Sequence, residues 1–249
     1  MKKALFILIL FLLPFLLFAQ SEHIIYGLPS TNHYVIKHIG YVAGYDSARK
    51  IPAWVFYRLI PKYCNGSKLL KRRPRFYPDP QVLKAGLSTA QNRCYVRSGY
   101  DRGHCFPAAD SKGRGIECEY QSYSLANVIP QKPNLNRKIW LRLEEQVRKW
   151  ANEYGEIWII TGGIDTDPSN EIGNGVSVPE SCYKIIVRTN SALSIIAFSM
   201  PQNAKGKPEQ YLVSIDDIEA LTGLDFLNEL PDDIENRIEA VTNRMWQTR

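Results

Sequence analysis

The chain has 249 residues, of which 45% are hydrophobic and 22% are charged, and this balance is typical of a folded globular protein. It excludes an intrinsically disordered chain, which would be poorer in apolar residues. The formal net charge of +6 is a modest excess, which is compatible with a polyanionic partner without requiring one.

Residues 1–20 have the layout of an export signal. Lys2 and Lys3 precede an uncharged apolar run from Ala4 to Ala19, and polar residues follow at once. The run is too short for a membrane anchor, which needs roughly 20 residues. We therefore expect a signal peptide over 1–20, cleaved near Ala19, and a secreted or periplasmic protein with no stable membrane association. Removal of both lysines leaves 29 basic and 25 acidic residues, a mature charge of +4.

The first predicted strand and the clearest predicted helix follow in the mature chain. Residues 53–60 form a β-rich apolar run that predicts a strand. Over 135–151, apolar residues recur every four positions, which predicts an amphipathic helix with one face on the core. Gly155 lies beyond its end as a stop signal.

The remaining regular elements lie in the C-terminal third of the chain. Residues 157–161, 183–187 and 194–198 predict further strands of a central sheet. Residues 211–215 add another candidate strand, and Ser214 begins a Ser-x-x-Asp capping pattern for a helix over 218–221 that stops at Gly223. The chain shows no internal repeat or long linker, so we expect a single domain over 21–249.

The run Tyr-Asp-Arg-Gly-His at 100–104 is a candidate catalytic segment, although a lone histidine in a polar turn is more often structural. The other histidines, His23, His33 and His38, lie near the mature N-terminus, so a multi-histidine metal site would require them to fold back. General base is therefore a better role for His104 than metal ligand, since an unperturbed pKa of about 6.5 allows it to accept a proton near neutral pH.

A second polar group lies on the long predicted helix. At about 100° per residue, Glu144 and Arg148 lie roughly 80° and 120° round the helix from Asn136. Taken alone, Glu144 and Arg148 are typical of a surface ion pair. Asn136 projects close to the centre of the apolar face, where an amide needs either a capping role or a metal ion to bind.

The five cysteines show no Cys-x-x-Cys spacing, which disfavours a zinc knuckle or a redox site: Cys64, Cys94, Cys105, Cys118 and Cys182. Disulfides and buried thiols are both open, with at least one cysteine unpaired. Cys105 follows His104 directly. We expect a small buried residue or a disulfide partner there, not a nucleophile, because no second histidine is near to activate it.

Three separated motifs together resemble the DNA/RNA non-specific endonuclease family. They are DRGH at 101–104 with Pro107 and Asp110 behind it, NVIPQKPNLNRKIWLRLEEQVR at 127–148, and TGG at 161–163 followed by VPESCYKIIV at 178–187. The similarity extends over about 54–231, most of the mature chain. It implies an α+β ββα-metal (His-Me finger) fold, in which a central, mainly antiparallel sheet is flanked by helices, a β-hairpin carries the histidine and the helix carries a metal-binding asparagine.

The resemblance also implies roles for the polar residues already singled out. His104 matches the general base of the family. Asn136 matches the residue that is usually the only direct protein ligand of Mg²⁺, for which Mn²⁺ could substitute. Glu144 matches the acid that orients the waters of the metal ion, and Arg148 matches an arginine that faces the scissile phosphate.

Upstream, the family places an arginine before an aromatic residue and an Asp-Pro pair. Here Arg72, Arg73 and Arg75 all precede Phe76 and the pair at 79–80. Arg73 is our choice for the catalytic arginine, with Arg75 next and expected to bind substrate. A basic loop that makes only non-specific phosphate contacts is the alternative.

The resemblance gives supporting roles to residues around the histidine and before the helix. Asn127 matches an asparagine that supports the site, although a turn residue before a proline is an equal interpretation. Asp101, Arg102 and Gly103 would hold the loop of the histidine and line the groove, with Arg102 binding substrate. Asp101 could instead orient the imidazole by a hydrogen bond.

The resemblance implies a secreted, sugar-non-specific endonuclease that hydrolyses single- and double-stranded DNA and RNA with Mg²⁺ and leaves 5′-phosphate ends. A catalytically silent, secreted nucleic-acid-binding protein of the same fold is the alternative. An extracellular adhesion module would explain export, but it gives no reason for these polar residues to coincide. A homodimer is left open.

Overall fold

A seven-stranded antiparallel sheet forms the centre of the protein in the computed structural model, which describes residues 21–167, 169–190 and 192–247. The signal peptide expected over 1–20 lies outside the described residues. None of the helices in the described ranges combines the length and the apolar character needed to cross a bilayer. The fold is α+β with helices on both sides of the sheet, and the fold class predicted from the sequence is confirmed.

The regular elements are numbered in chain order. The strands are β1 Tyr34–Lys37, β2 Val42–Asp46, β3 Ile51–Leu59, β4 Asp101–His104, β5 Val128–Gln131, β6 Ile157–Ile164, β7 Glu171–Ile172, β8 Val176–Ser177, β9 Ser181–Arg188, β10 Ser194–Pro201 and β11 Leu212–Val213. The α-helices are α1 Pro61–Cys64, α2 Pro80–Lys84, α3 Ile116–Gln121, α4 Leu141–Tyr154, α5 Ile215–Thr222 and α6 Asp232–Glu239. The central sheet has the order β1-β2-β3-β6-β9-β10-β11, and all of its neighbouring strands are antiparallel.

Both faces of this sheet are buried, and the alternation of side chains along each strand separates two cores. In β3, Trp54 and Phe56 belong to one core, whereas Val55 and Tyr57 belong to the other. Helix α4 packs against the face of the sheet that carries Val55, and α5 packs against the face that carries Trp54. Burial on both faces explains why the strands read as continuous apolar runs in the sequence.

A two-stranded ribbon and a helix lie beside this sheet and form the ββα unit. Strands β4 and β5 pair antiparallel, with His104 opposite Val128. The following helix begins at the predicted residue, but its first six residues, Leu135–Trp140, are π-helical, and α4 continues to Tyr154. The α-helical angles that we assigned to Glu144 and Arg148 relative to Asn136 are therefore wrong, because the i→i+5 turns of a π-helix change the rotation per residue.

All five cysteines are buried free thiols. Of the two alternatives left open by the sequence, disulfides and buried thiols, the structure therefore shows buried thiols. Burial raises the pKa of the Cys105 thiol, which keeps it protonated at neutral pH. A protonated, buried thiol is a poor nucleophile, which agrees with the structural role expected for this residue.

The predicted cap at Ser214 is present. Ser214 Oγ accepts a hydrogen bond from Asp217 N at 3.1 Å, and Asp217 Oδ2 accepts one from Ser214 N at 3.0 Å. Helix α5 starts directly after the N-cap residue Ser214, three residues before the predicted start, and Gly223 ends it with a φ of 66° in the left-handed region. The strand predicted over 211–215 pairs only over β11, because the capping box already occupies residue 214.

We expect Ser214→Ala to lower the free energy of unfolding by about 1 kcal/mol, because it removes the side-chain acceptor of the helix cap. Urea denaturation at neutral pH would measure the loss. Ser67→Ala, in an exposed loop, is the matched control and should stay within about 0.5 kcal/mol of the wild-type protein. Equal stability of the two variants would contradict a stabilising cap.

Candidate active site

His104 is the last residue of β4 and lies between two aromatic rings. Its ring centroid is 5.0 Å from that of Phe76 and 5.3 Å from that of Tyr123, the latter in an edge-on contact. Nε2 is buried and has no hydrogen-bond partner in the described part of the chain, so Nδ1 is the ring nitrogen that can face the cleft. Burial, together with the positive charge of Arg73, lowers the pKa of His104 to about 3. The imidazole is therefore neutral at physiological pH and able to accept a proton.

The segment after His104 is fixed by Asn127. The Asn127 side chain is fully buried, accepts a hydrogen bond from Phe106 N at 2.8 Å and donates to Phe106 O at 2.9 Å and Ser122 O at 2.8 Å. The backbone carbonyl of Asn127 also accepts from Cys105 N at 2.9 Å. These contacts hold the chain immediately after the histidine.

Asn136 lies in the π-helical turn and is held by Asp101. Its Nδ2 donates to Asp101 Oδ2 at 3.1 Å. Because a carboxylate can only accept, the amide nitrogen must face Asp101, which leaves Asn136 Oδ1 free of that contact. Asp101 also accepts from Arg137 at 2.7 and 2.6 Å. Asp101 therefore orients the asparagine, and the alternative that it orients the imidazole of His104 does not correspond to any hydrogen bond in the described residues.

Glu144 projects from α4 towards a buried cluster of charges. Burial raises the pKa of Glu144 from its ordinary value of 4.5 to about 7; the charge of Lys184 opposes this shift, and that of Asp110 adds to it. Lys184, on β9, is 0% exposed, and its ammonium lies 4.8 Å from the centre of the Trp140 ring without a hydrogen-bond partner among the described residues. Burial lowers the pKa of Lys184, and the carboxylate of Glu144 opposes that shift.

Arg148 lies one helical turn after Glu144 and is anchored by Asp110. Its Nη1 donates to Asp110 Oδ1 at 3.1 Å, and the hydroxyl of Tyr57 donates to Asp110 Oδ2 at 3.2 Å. Asp110 is almost fully buried, whereas Arg148 is partly exposed. The anchor therefore holds one side of the guanidinium and leaves its other donors available to a bound anion.

The upstream arginines differ in their positions. The guanidinium of Arg73 lies 5.7 Å from the ring centre of Phe76 and 5.8 Å from that of Tyr123, the two rings that flank His104. Arg75 is exposed. Arg102 Nη2 donates to Asn92 O at 2.6 Å, and its guanidinium lies 4.8 Å from the centre of the Tyr95 ring. Arg73 is therefore better placed than Arg75 to act beside the histidine.

The structure brings the main predicted residues to one place. A single cleft is lined by His104, Asn136, Glu144 and Arg148. A neighbouring cleft shares Asn136 and adds Arg73, Asp101 and Arg102. Two of the N-terminal histidines have other partners: His23 Nε2 contacts Ile39 O at 3.1 Å, and His38 contacts Asp79 at 2.7 Å. His33 lines other depressions of the surface.

Sequence reasoning did not single out several residues of this site: Tyr57, Asp110, Tyr123, Arg137 and Lys184. For Lys184 a signal was present, because a lysine in the middle of the apolar run 183–187 of a sheet buried on both faces needs a buried counter-charge. Asp110 was part of a recognised motif but had no role. Tyr57 and Tyr123 carry no local signal, since only the tertiary fold places them beside charged groups.

Comparison with known proteins gives consistent matches. A family model described as DNA/RNA non-specific endonuclease matches residues 19–233. The mitochondrial nuclease EXOG of Xenopus laevis is 30% identical over 226 residues, which are 84% of this chain and 62% of that longer protein. A nuclease of Nostoc sp. is 29% identical over 244 residues, which are 88% of this chain and 85% of that protein.

A solved structure has the same fold. A chain in the crystal structure of the EndoG/EndoGI complex aligns with a TM-score of 0.72 and 27% sequence identity, and the alignment covers 83% of this chain and 90% of that chain. The β4-β5 ribbon and the helix that follows it are the ββα arrangement that the sequence motifs predict.

The raised pKa of Glu144 predicts a specific dependence of stability on pH. Between about pH 4.5 and 7 the unfolded chain releases a proton that the folded protein retains on this carboxyl, so the carboxyl destabilises the fold progressively as the pH rises. Glu144→Gln should therefore match the wild-type protein near pH 4.5 and exceed its free energy of unfolding by about 1 to 3 kcal/mol at pH 8.

Urea denaturation at several pH values, with chelator present, would measure this difference. Glu145→Gln changes the exposed neighbour on the same helix and should alter the wild-type pH dependence only slightly, because its charge is the smallest of the contributions that raise the pKa of Glu144. A constant difference between Glu144→Gln and wild type across this pH range would show that the carboxyl does not titrate there.

Proposed function

The chain belongs to the DNA/RNA non-specific endonuclease family, and we propose that it hydrolyses the phosphodiester bonds of both DNA and RNA. The observation that carries this proposal is the cleft in which His104, Asn136, Glu144 and Arg148 meet. These residues come from a strand and a helix that are 30 or more positions apart in the sequence, and together they offer a base, a hard oxygen donor, an acid and a phosphate-binding cation.

The residues of the cleft fit a Mg²⁺ ion. Mg²⁺ prefers oxygen ligands and keeps several of its waters, so one protein ligand suffices. Asn136 would supply that ligand through Oδ1, which the hydrogen bond from Nδ2 to Asp101 leaves free. Glu144 would accept hydrogen bonds from the waters. A bound Mg²⁺, or Mn²⁺ in its place, would stabilise negative charge on the phosphate.

His104 acts in this proposal as the general base. The neutral ring takes a proton through Nδ1 from a water placed in line with the phosphate, and the resulting hydroxide attacks phosphorus. The 3′ oxygen leaves and takes up a proton from solvent, which gives 5′-phosphate and 3′-hydroxyl ends. Because the ribose 2′-hydroxyl takes no part, neither DNA nor RNA is excluded as a substrate.

Arginines balance the charge that develops on the phosphate. Arg73, beside the aromatic pair, and Arg148, anchored by Asp110, are the proposed partners of the phosphate, while Arg75 and Arg102 would contact the backbone of the nucleic acid further along. Contacts confined to phosphates carry no sequence information. We therefore propose low sequence preference and activity on single and double strands.

We also propose that the protein is exported, on the strength of the basic and apolar pattern of residues 1–20. An exported protein would differ in location from its mitochondrial relatives, one of which is the nuclease of Xenopus laevis. A bacterial relative, from Nostoc sp., also carries the name nuclease.

We expect His104→Ala to lower kcat/KM for both plasmid DNA and RNA by about 10²- to 10⁴-fold in the presence of Mg²⁺, because the base is lost while the cleft remains. Gel assays of the mature protein, with and without chelator, would measure the effect. His33→Ala is the matched control, since His33 lines a different depression of the surface. Full activity in His104→Ala would exclude the proposed mechanism.

The same assay separates the nuclease from a catalytically silent nucleic-acid-binding protein of this fold. A silent protein would bind DNA in a salt-sensitive manner without cleaving it under any divalent metal. Cleavage that requires a divalent metal and His104 would exclude that alternative.

The two arginine candidates can be compared directly. Arg73→Ala should lower kcat by about 10²- to 10³-fold, because Arg73 lies beside the base and the expected phosphate position. Arg75→Ala is the matched control and should change KM and its salt dependence with little effect on kcat. Steady-state kinetics at two salt concentrations would test this. A larger kcat loss in Arg75→Ala would reverse the assignment.

A further inference from the structure

A cluster of carboxylates lies on the opposite side of the central sheet from the cleft. It consists of Asp216 and Glu219 on α5 and Glu239 at the end of α6, and we name it the α5-α6 acidic cluster. One potential ligand atom from each of the three residues lies within 4.8 Å of the other two. Within the described ranges, no other group of three His, Cys, Asp or Glu side chains converges in this way. Helix α5 packs in the core on one face of the sheet, whereas α4 and the residues around His104 pack on the other.

The carboxyl of Glu239 is the group in this cluster that most needs a binding partner. Its side chain is only 4% exposed, and its Oε1 is buried without a hydrogen-bond partner in the part of the chain that the structure describes. A buried carboxylate without a partner is costly, and such groups are normally paired or coordinate a metal. Burial and the charges of Glu219, Glu235, Asp216 and Asp225 together raise the pKa of Glu239 to about 9. All four of these neighbours are acids, so they supply no counter-charge.

The geometry and chemistry of the cluster fit a calcium ion. Ca²⁺ binds carboxylate oxygens at about 2.3 to 2.6 Å, so two ligands on opposite sides of one ion are about 5 Å apart at most. Separations within 4.8 Å satisfy that limit. The donor set contains only oxygen, whereas a zinc site would draw on nitrogen or sulfur. Partly exposed Glu219 and exposed Asp216 leave room for the waters that complete the coordination shell.

We propose that the α5-α6 acidic cluster is a structural Ca²⁺ site that fastens helix α6 to α5. Helix α6 has few apolar anchors: Ile238 is only partly buried against the core, and Glu239 is the one residue of the helix that is fully buried. An ion shared by Glu239 and α5 would therefore add a strong link where apolar packing is sparse. Glu239 lies beyond residues 19–233, over which the family model matches, whereas Asp216 and Glu219 lie within them.

Calcium-dependent thermal stability of the full mature chain tests this proposal. Asn136→Ala is the parent protein, so that an ion in the proposed catalytic site does not contribute, and it is compared with Glu239→Gln and Asp233→Asn made in the same background. Glu239→Gln keeps the shape of the ligand without its charge. Asp233→Asn removes an exposed acid of α6 outside the cluster and is the matched control.

We expect CaCl₂ at a hundredfold excess over its Kd to raise the Tm of the parent and of the Asp233→Asn variant by about 5 °C or more. The rise should be absent in the Glu239→Gln variant, whose calcium-free Tm near neutral pH should stay close to that of the parent, because a Glu239 carboxyl with a pKa of about 9 is protonated there and as uncharged as the amide. The proposal is overturned by no calcium-dependent rise in the parent, by an equal rise in Glu239→Gln, or by loss of the rise in Asp233→Asn. None of these readouts depends on nuclease activity, so the result is independent of the proposed function.

Discussion

The candidate site depends on a lysine buried between the central sheet and helix α4. Side chains alternate along β9, so Lys184 faces α4 while Tyr183 and Ile185 enter the opposite core. Its charge acts on Glu144, where it opposes the effect of burial on the carboxyl pKa. Without that charge, Glu144 would be more strongly protonated at neutral pH and a poorer acceptor for the waters of a metal ion. Lys184 does not line the cleft, but its charge therefore affects the protonation of Glu144, which does.

One side-chain amide and one carboxylate position the proposed reacting groups of the ββα unit. Asn127 fixes the backbone after His104 through two hydrogen bonds to Phe106, and Asp101 fixes the amide of Asn136. Asp101 lies on the same strand as His104, so the strand that carries the proposed base also orients the proposed metal ligand. The π-helical turn belongs to the same arrangement, because it contains Asn136 and sets its position relative to Glu144. Such interruptions of α-helices are frequent at functional sites.

The sequence predicted the four longer strands and the cap of α5, because each depends on local apolar patterns or capping residues, whereas the fold class was implied by the resemblance to a family. Motifs with the spacing of a family also singled out His104, Asn136, Glu144 and Arg148, which the structure brings to one cleft, whereas Asp101, Arg102 and Gly103 do not line that cleft. The sequence could not predict the π-helical turn, since the apolar repeat of residues 135–151 is satisfied by an ordinary α-helix. Nor could it pair Arg148 with Asp110 or Glu144 with Lys184, because those contacts join segments that only the sheet brings together.

His104 and Glu144, two titratable groups of the cleft, change charge at very different pH values. In the free protein, burial and Arg73 hold the pKa of His104 at about 3, so the ring is neutral throughout the physiological range but is a weak base. A phosphate bound beside Arg73 would cancel that arginine's charge and place a negative charge near the ring, and both effects raise the pKa of an imidazole. Substrate would then strengthen the base that acts on it. The group that changes charge near pH 7 in the free protein is Glu144, so a loss of kcat/KM on mild acidification, which reports the free protein, would reflect the carboxyl and not the histidine.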